Sequence, residues 1–300
     1  MMIRIISESP VFMFKNALSQ LLVIALFTGL TAVSSQAQST EIRDAARALG
    51  FEPHKALYEI KLAGTRSGSQ ILNISGQMFY EWQPMCDAWI TNHRFNILYE
   101  YADSAPMRIT SNFSTYEPFD GSNLNFTSQR KRDGNIFEEI RGSASSSEGG
   151  MGQAIYTMPS ELEFSLPEGT LFPIAHTMGV AQKIRDEKKF YNATIFDGSD
   201  EDGPVEVNTF IGKLVSPEQL SEENEALDEA LLSSPARNVR LAFFPLMADE
   251  SASDYEMTLV FHENSLVSDM IIEYDDFSVS QKLIAVEPVA DGCHQAEFNE

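Results

Sequence analysis

The sequence predicts a mainly β protein in which about twelve antiparallel strands form one curved sheet. Apolar and polar residues alternate with a period of two over several long segments, which is the pattern of strands that bury only one face. Hydrophobic residues make up 43% of the chain and include 20 Phe and 9 Tyr. This apolar content is sufficient for the packed core of one large domain or of two small ones, and it excludes a globally disordered chain.

The alternation is clearest in two neighbouring segments, 72–82 and 89–101. One face of the first segment is formed by Leu72, Ile74, Gly76, Met78, Tyr80 and Trp82. One face of the second is formed by Trp89, Thr91, His93, Phe95, Ile97, Tyr99 and Tyr101. Similar runs at 255–261 and 270–274 flank Glu263–Ser265, whose polar residues are typical of a hairpin turn. Shorter runs lie near 57–62, 107–115, 136–141, 190–196, 205–211, 237–243 and 279–287.

Three segments show helical rather than strand periodicity. Residues 40–49 and 174–187 place apolar side chains three and four positions apart, and Pro173 immediately precedes the second segment. Residues 216–232 begin with a Ser-Pro-Glu-Gln capping box and predict an acidic helix, or alternatively a solvated insertion.

The chain carries 44 acidic and 21 basic residues, a formal charge of −23. A field of this sign repels polyanions, so we exclude a nucleic-acid partner. Part of the acidity lies in 197–206. We interpret the acidic stretch beginning at Asp197 as a solvated turn, because its spacing misses the EF-hand pattern; calcium binding there is the alternative.

The N-terminus predicts export. Residues 21–33 form an uncharged apolar run of signal-peptide length, and Ser35 and Ala37 supply the small residues that signal peptidase requires. We therefore expect residues 1–37 to be a signal peptide cleaved after Ala37, and residues 38–300 to form a single periplasmic domain without a transmembrane segment. An uncleaved anchor is the alternative. Translation starts at Met1 or at Met13, because the segment from Met13 makes a signal of more usual length.

Two cysteines, Cys86 and Cys293, lie near the two ends of the exported chain. An even count in an oxidising compartment predicts a structural disulfide between them, whereas a catalytic thiol pair is the alternative. Trp82 and Trp89 flank Cys86. We interpret them as a structural platform that packs on the disulfide, and an aromatic ligand platform is the other interpretation.

No nucleophile elbow, P-loop or zinc-protease motif occurs in the sequence. The five histidines are too far apart in sequence to suggest a metal site. We therefore assign no catalytic, cofactor-binding or metal-binding residue, and we expect a protein that is not an enzyme.

Several motifs in sequence order resemble the EipB family of envelope integrity proteins, which is found in the periplasm of Gram-negative bacteria. They include Met78-x-Tyr80-Glu81, Cys86-Asp87-x-Trp89 and Asn92-x-Arg94-Phe95. Further matches follow at 54–58, 166–176, 191–200, 239–243, 255–256 and 274–277. The resemblance covers about residues 53–290. The family pattern is shorter near 216–234, which makes this segment an insertion with predicted helical character.

The resemblance implies an antiparallel β-spiral, or half-open barrel, of about 12–14 strands with two or three packed helices, related in shape to lipoprotein carriers. It also implies that Cys86 pairs with Cys293. We expect a monomeric periplasmic protein that supports envelope integrity by binding an unidentified protein or ligand on its curved sheet. The alternative is a periplasmic carrier of lipid or acylated protein.

Overall fold

The computed structural model describes residues 50–147, 149–216, 226–246 and 253–290. Within these residues, fourteen strands form one antiparallel sheet, which confirms the mainly β prediction. The strands are β1 His54–Thr65, β2 Ile71–Pro84, β3 Ala88–Tyr101, β4 Met107–Pro118, β5 Asn123–Arg132, β6 Asn135–Ser145, β7 Gly152–Met158, β8 Glu163–Leu166, β9 Phe190–Ile195, β10 Val205–Leu214, β11 Ala236–Pro245, β12 Tyr255–His262, β13 Val267–Glu273 and β14 Phe277–Pro288.

The sheet consists of two meanders joined by their first and last strands. Strands β1 to β8 follow one another across one half, β14 back to β9 cross the other half, and β1 pairs with β14. The sheet curls strongly and brings its two edges near each other. Leu171, five residues beyond the end of β8, forms a parallel bridge with Ile195 of β9 at the opposite edge. The two edge strands do not pair with each other, so the described sheet remains unclosed, as the half-open barrel requires.

Three strands, β5, β7 and β8, were absent from the sequence-based prediction. The inward positions of β5 are Leu124, Phe126, Ser128 and Arg130, so its buried face is only half apolar. Strand β8 has only four residues. Neither pattern carries enough alternating apolar residues to be recognised as a strand without its neighbours.

The helix predicted at 174–187 is confirmed as α1, Pro173–Arg185. Of the segment 216–232, predicted as an acidic helix or a solvated insertion, the structure describes residue 216 and residues 226–232, and only the last four of these are helical. Leu227 forms a parallel bridge with Val286 of β14, and helix α2 spans only Glu229–Leu232, capped by the Asp228 carboxylate. The bridge to β14 supplies the backbone hydrogen bonds that a longer helix would have made.

Other predicted features fall outside the described residues. They are the signal peptide 1–37, the helix 40–49, residues 217–225 of the predicted insertion and Cys293. These stay predictions.

The inner face of the sheet and α1 enclose the core. Helix α1 buries Ile174, Val180, Ala181 and Ile184 against inward side chains of β10, β11 and β12. A second cluster lies between β1–β3 and β12–β14, and a third lies beneath β4–β8. Helix α1 therefore covers an interior that the curled sheet surrounds.

Candidate ligand-binding cavity

Two adjoining cavities lie inside the curled sheet. The larger has a volume of about 320 Å³ and the smaller about 210 Å³. Both are lined by the same six residues at their junction: Met78, Tyr80, His93, Thr177, Met257 and Met270. The larger volume lies within the range of pockets that bind small ligands, about 300–1,000 Å³.

Side chains from both halves of the sheet line the larger cavity. Strands β2 and β3 contribute most of the faces predicted from their alternation, and β12–β14 contribute the opposite wall. The assignment of Leu72 to the buried face of β2 is wrong, because the pairing with β3 shifts register between Ile71 and Asn73 and leaves Leu72 64% exposed. The apolar lining residues on these strands include Ile74, Met78, Phe95, Ile97, Met257, Met270, Ile272 and Val279. Flexible methionines together with aromatic rings form a wall that can adapt to differently shaped apolar molecules.

A few polar groups interrupt this wall. Burial lowers the pKa of His93 to about 4, so the imidazole is neutral at physiological pH. Its ring contacts those of Tyr80 and Phe113 at centroid distances of 4.8 and 5.8 Å. Tyr58, which lines the smaller cavity, donates its hydroxyl proton to the carbonyl of Val267 at 2.8 Å. His93 and Tyr58 therefore add polar but uncharged groups to the cavity walls.

Helix α1 is held over the cavities by a buried carboxylate. Glu117 of β4 accepts hydrogen bonds from the backbone N–H groups of Ile174 and Ala175, each at 2.9 Å. The residue preceding the helix, Phe172, provides no side-chain cap, so Glu117 takes that role from another element. Burial raises the pKa of Glu117 to about 7, and the two hydrogen bonds from the helix oppose that rise.

The acidic loop, residues 197–203, lies at one end of the larger cavity, where it contributes Asp197 and Ser199, whereas its Glu201 and Asp202 are exposed to solvent. Ser199 is buried, and its carbonyl accepts a hydrogen bond from Arg130 at 2.7 Å. The carbonyl of Asp200 accepts one from the Tyr156 hydroxyl at 2.7 Å. The predicted solvated turn is therefore wrong for residues 197–200, because Arg130 of β5 and Tyr156 of β7 supply donors that replace water, whereas Glu201 and Asp202 are exposed as predicted.

The structure separates the aromatic pair from the cavities. Trp82 and Trp89 are 1% and 3% exposed, lie 5.3 Å apart between ring centroids, and pack with Phe51 and Phe119 in the core beneath α1. Neither ring lines either cavity. Cys86 lies in the exposed turn between β2 and β3, beside this cluster.

The sequence carries signals for two buried charged side chains, Glu117 and Arg130, that the alternation pattern alone does not predict. Glu117 occupies the inward position that follows Ile109, Ser111, Phe113 and Thr115 along β4. Arg130 occupies an inward position of β5, is 3% exposed, and forms an ion pair with Glu138 at 2.6 Å. A charged residue on the apolar face of a strand requires a partner inside the fold, and this rule would have identified both.

The sequence and the fold match those of known proteins. A model of the EipB-like family matches residues 45–290. The chain belongs to the EipB-like family. A curated relative is the cell envelope integrity protein EipB of Brucella abortus (strain 2308), 28% identical over 250 residues, which cover 81% of this chain and 86% of the relative. The resemblance seen in the sequence is thus confirmed.

A solved structure also matches this member of the EipB-like family. The crystal structure of a beta-barrel-like protein of a domain of unknown function from Brucella abortus gives a TM-score of 0.74 at 26% identity. The match covers 80% of this chain and 99% of that one. The family fold therefore extends through almost all of the solved relative.

Across 50–147, 149–216, 226–246 and 253–290, no group of three or more His, Cys, Asp or Glu side chains is arranged to hold a metal ion. Within those ranges, neither α-helix has the length and apolar character needed to span a bilayer.

Proposed function

We propose that this chain is a non-enzymatic, monomeric periplasmic protein that supports envelope integrity by binding an apolar ligand inside its curved sheet. The name of the Brucella abortus relative supports the envelope role. The apolar signal-like run at 21–33 supports export. The observation that carries the binding proposal is the pair of adjoining cavities, whose shared wall includes Met78, Met257 and Met270.

The lining supports an apolar ligand because packed interiors rarely leave room of this size. Most wall residues are aliphatic, aromatic or methionine, so water in the cavity would find few hydrogen-bond partners. A ligand that buries an apolar chain would gain about 25 cal/mol for each Å² removed from water.

A cavity-filling variant tests this proposal. Met270→Trp enlarges a side chain shared by both cavities and should abolish the fluorescence increase of an apolar dye, N-phenyl-1-naphthylamine, added to the wild-type protein. Ile271→Trp is the matched control, because Ile271 is the next residue on β13 and is exposed on the outer face. Equal dye binding by both variants, or none by the wild type, contradicts the proposal.

The envelope role needs a cellular measurement. Deletion of the gene should sensitise cells to detergents and cell-wall antibiotics, and Ile271→Trp should restore resistance whereas Met270→Trp should not. Unchanged sensitivity after deletion contradicts an envelope role. Full rescue by Met270→Trp contradicts a role for the cavity.

Carriage of a lipid or acylated protein is the second candidate, favoured by the same apolar lining. A carrier would not only bind its lipid but also transfer it between membranes. Protein purified from the periplasm should then contain extractable lipid and should move a labelled lipid between vesicles. Dye binding without transfer would support a stationary binding protein instead.

A further inference from the structure

The smaller of the two adjoining cavities is lined by polar but neutral rings. His54, His93 and His176 all line it, and burial lowers the pKa of each to about 4. The three imidazoles are therefore neutral at physiological pH, and a neutral imidazole has one nitrogen that donates a hydrogen bond and one that accepts. The smaller cavity thus offers both donors and acceptors without charge.

The wall of the smaller cavity carries no Asp, Glu, Lys or Arg among its described residues. Asp197, the carboxylate in the wall of the larger cavity, does not line the smaller one. A charged group placed in the smaller cavity would lose its hydration without meeting an opposite charge in the wall. The lining therefore favours an uncharged polar group.

Two polar atoms of this wall make no hydrogen bond to a described residue. They are Nε2 of His176, on α1, and Oγ of Ser265, in the turn between β12 and β13. The two residues are 8% and 7% exposed, and both line the smaller cavity and not the larger one. Buried polar atoms in folded proteins almost always have a partner, so each of these atoms indicates a molecule that supplies one. A hydroxyl group suits both atoms, because it can donate and accept.

A third atom of this kind lies beside the junction of the two cavities. Gln281 of β14 is directly opposite Met270 in the pairing of β13 with β14, and both side chains line the larger cavity. Met270 also lines the smaller cavity. Oε1 of Gln281 is buried and accepts no hydrogen bond from a described residue. An amide oxygen can only accept, so a hydroxyl proton near the junction would satisfy it.

We propose that the two cavities together bind a neutral amphiphile, an apolar chain that ends in a head group with two or more hydroxyls, as in a monoacylglycerol. The chain lies against the methionine and aromatic wall of the larger cavity, and the hydroxyls lie in the smaller cavity with His176 and Ser265. A head group of this kind spans the junction, where one hydroxyl can donate to Gln281. This inference rests on the proposed ligand-binding function and adds the chemistry of the head group.

Four ligands that share a twelve-carbon chain and differ in their head group test the inference. They are 1-monododecanoylglycerol, methyl dodecanoate, dodecanoate and dodecylamine. Each competes, below its micelle or solubility limit, with N-phenyl-1-naphthylamine for the full-length exported protein at pH 7. The glycerol ester should displace the dye at a concentration about tenfold lower than the more apolar methyl ester, which corresponds to about 1.4 kcal/mol. It should also displace the dye at a lower concentration than either charged ligand.

Two variants assign the preference to the smaller cavity. His176→Phe removes the nitrogens but keeps a ring against Tyr191, on which the imidazole stacks at 5.8 Å between centroids. Ser265→Gly removes the hydroxyl and suits the positive φ of 74° at this position. Each should weaken the glycerol ester severalfold and leave the methyl ester unchanged.

Thr209→Val is the matched control for these variants. It also removes a buried hydroxyl that makes no hydrogen bond to a described residue, but Thr209 lines neither cavity. The control should bind both esters as the wild type does.

The outcomes separate this inference from the function on which it rests. Equal displacement by the glycerol and methyl esters, or stronger displacement by dodecanoate or dodecylamine, overturns the preference for a neutral hydroxylated head and leaves the binding function intact. A glycerol-ester preference that persists in both His176→Phe and Ser265→Gly overturns the placement of the head group. Failure of the wild-type protein to bind the dye or any of the four ligands overturns the binding function itself.

Discussion

At the residue scale, one carboxylate connects the sheet to its covering helix. Glu117 is 1% exposed and satisfies two of the backbone N–H groups at the start of α1. Desolvation outweighs these bonds, so its pKa lies at about 7 rather than at 4.5. The folded protein therefore binds a proton on Glu117 at a higher pH than the unfolded chain does.

The sign of this shift gives a pH-dependent prediction for Glu117→Gln. Between about pH 4.5 and 7 only the folded wild type holds the proton, so its free energy of unfolding falls as pH rises. The glutamine variant does not titrate there. Its stability relative to the wild type should therefore rise with pH, by at most about 3 kcal/mol.

Urea denaturation at pH 5, 6, 7 and 8 measures this difference. Glu168→Gln, at an exposed position after β8, serves as the control and should show no such trend. A stability difference between Glu117→Gln and the wild type that is constant with pH contradicts the raised pKa.

At the element scale, the acidic loop packs against Phe126 of β5 at Gly198. Gly198 has a φ of +66°, and a Cβ atom built on it would lie 2.3 Å from Cγ of Phe126. Two separate requirements thus favour glycine: a left-handed backbone and the absence of a side chain. The loop carries Asp197 and Ser199 to the cavity on either side of this contact.

We predict that Gly198→Ala destabilises the protein by more than Gly134→Ala. Gly134 also has a positive φ, +85°, but nothing lies within 4 Å of its built Cβ atom. The control should cost about 1–2 kcal/mol for backbone strain. Gly198→Ala should cost about 1–3 kcal/mol more, because Phe126 must move. Thermal and urea unfolding measure both variants, and equal losses would show that the packing contact adds nothing.

At the scale of the whole molecule, pairing between the first and last described strands, β1 and β14, joins the two meanders into one sheet. His54 of β1 pairs with Pro288 of β14, and Lys55 pairs with Glu81 of β2. The end of β14 thus lies two strands from the end of β2, whose following turn contains Cys86. Cys293 comes five residues after Pro288. This proximity supports the predicted Cys86–Cys293 disulfide.

The disulfide prediction concerns the stability of the whole sheet. A bridge between Cys86 and Cys293 would enclose the long stretch of chain between these two residues and should stabilise the fold by about 5 kcal/mol or less. The double variant Cys86→Ser with Cys293→Ser should unfold at lower urea concentration than the oxidised wild type. Reductant should lower the wild-type midpoint and leave the variant unchanged. Identical midpoints for oxidised and reduced wild type contradict the bridge.

The sequence by itself determined the strands whose inward faces are apolar, including β2, β3 and β12, and the helix that follows Pro173. It also determined the family, because its motifs recur in order along the chain. These features depend on local periodicity and on residue identity. Both can be read from the sequence without knowing which strands pair with each other.

Only the tertiary structure decided where the chemistry lies. Glu117, Arg130 and the loop at Asp197 come from separate parts of the chain, and the curl of the sheet brings each into the interior. A cavity exists because β2–β3 and β12–β14 face each other without filling the space between them. That distance depends on the twist and curl that fourteen strands produce together through long-range pairings, which no local pattern specifies.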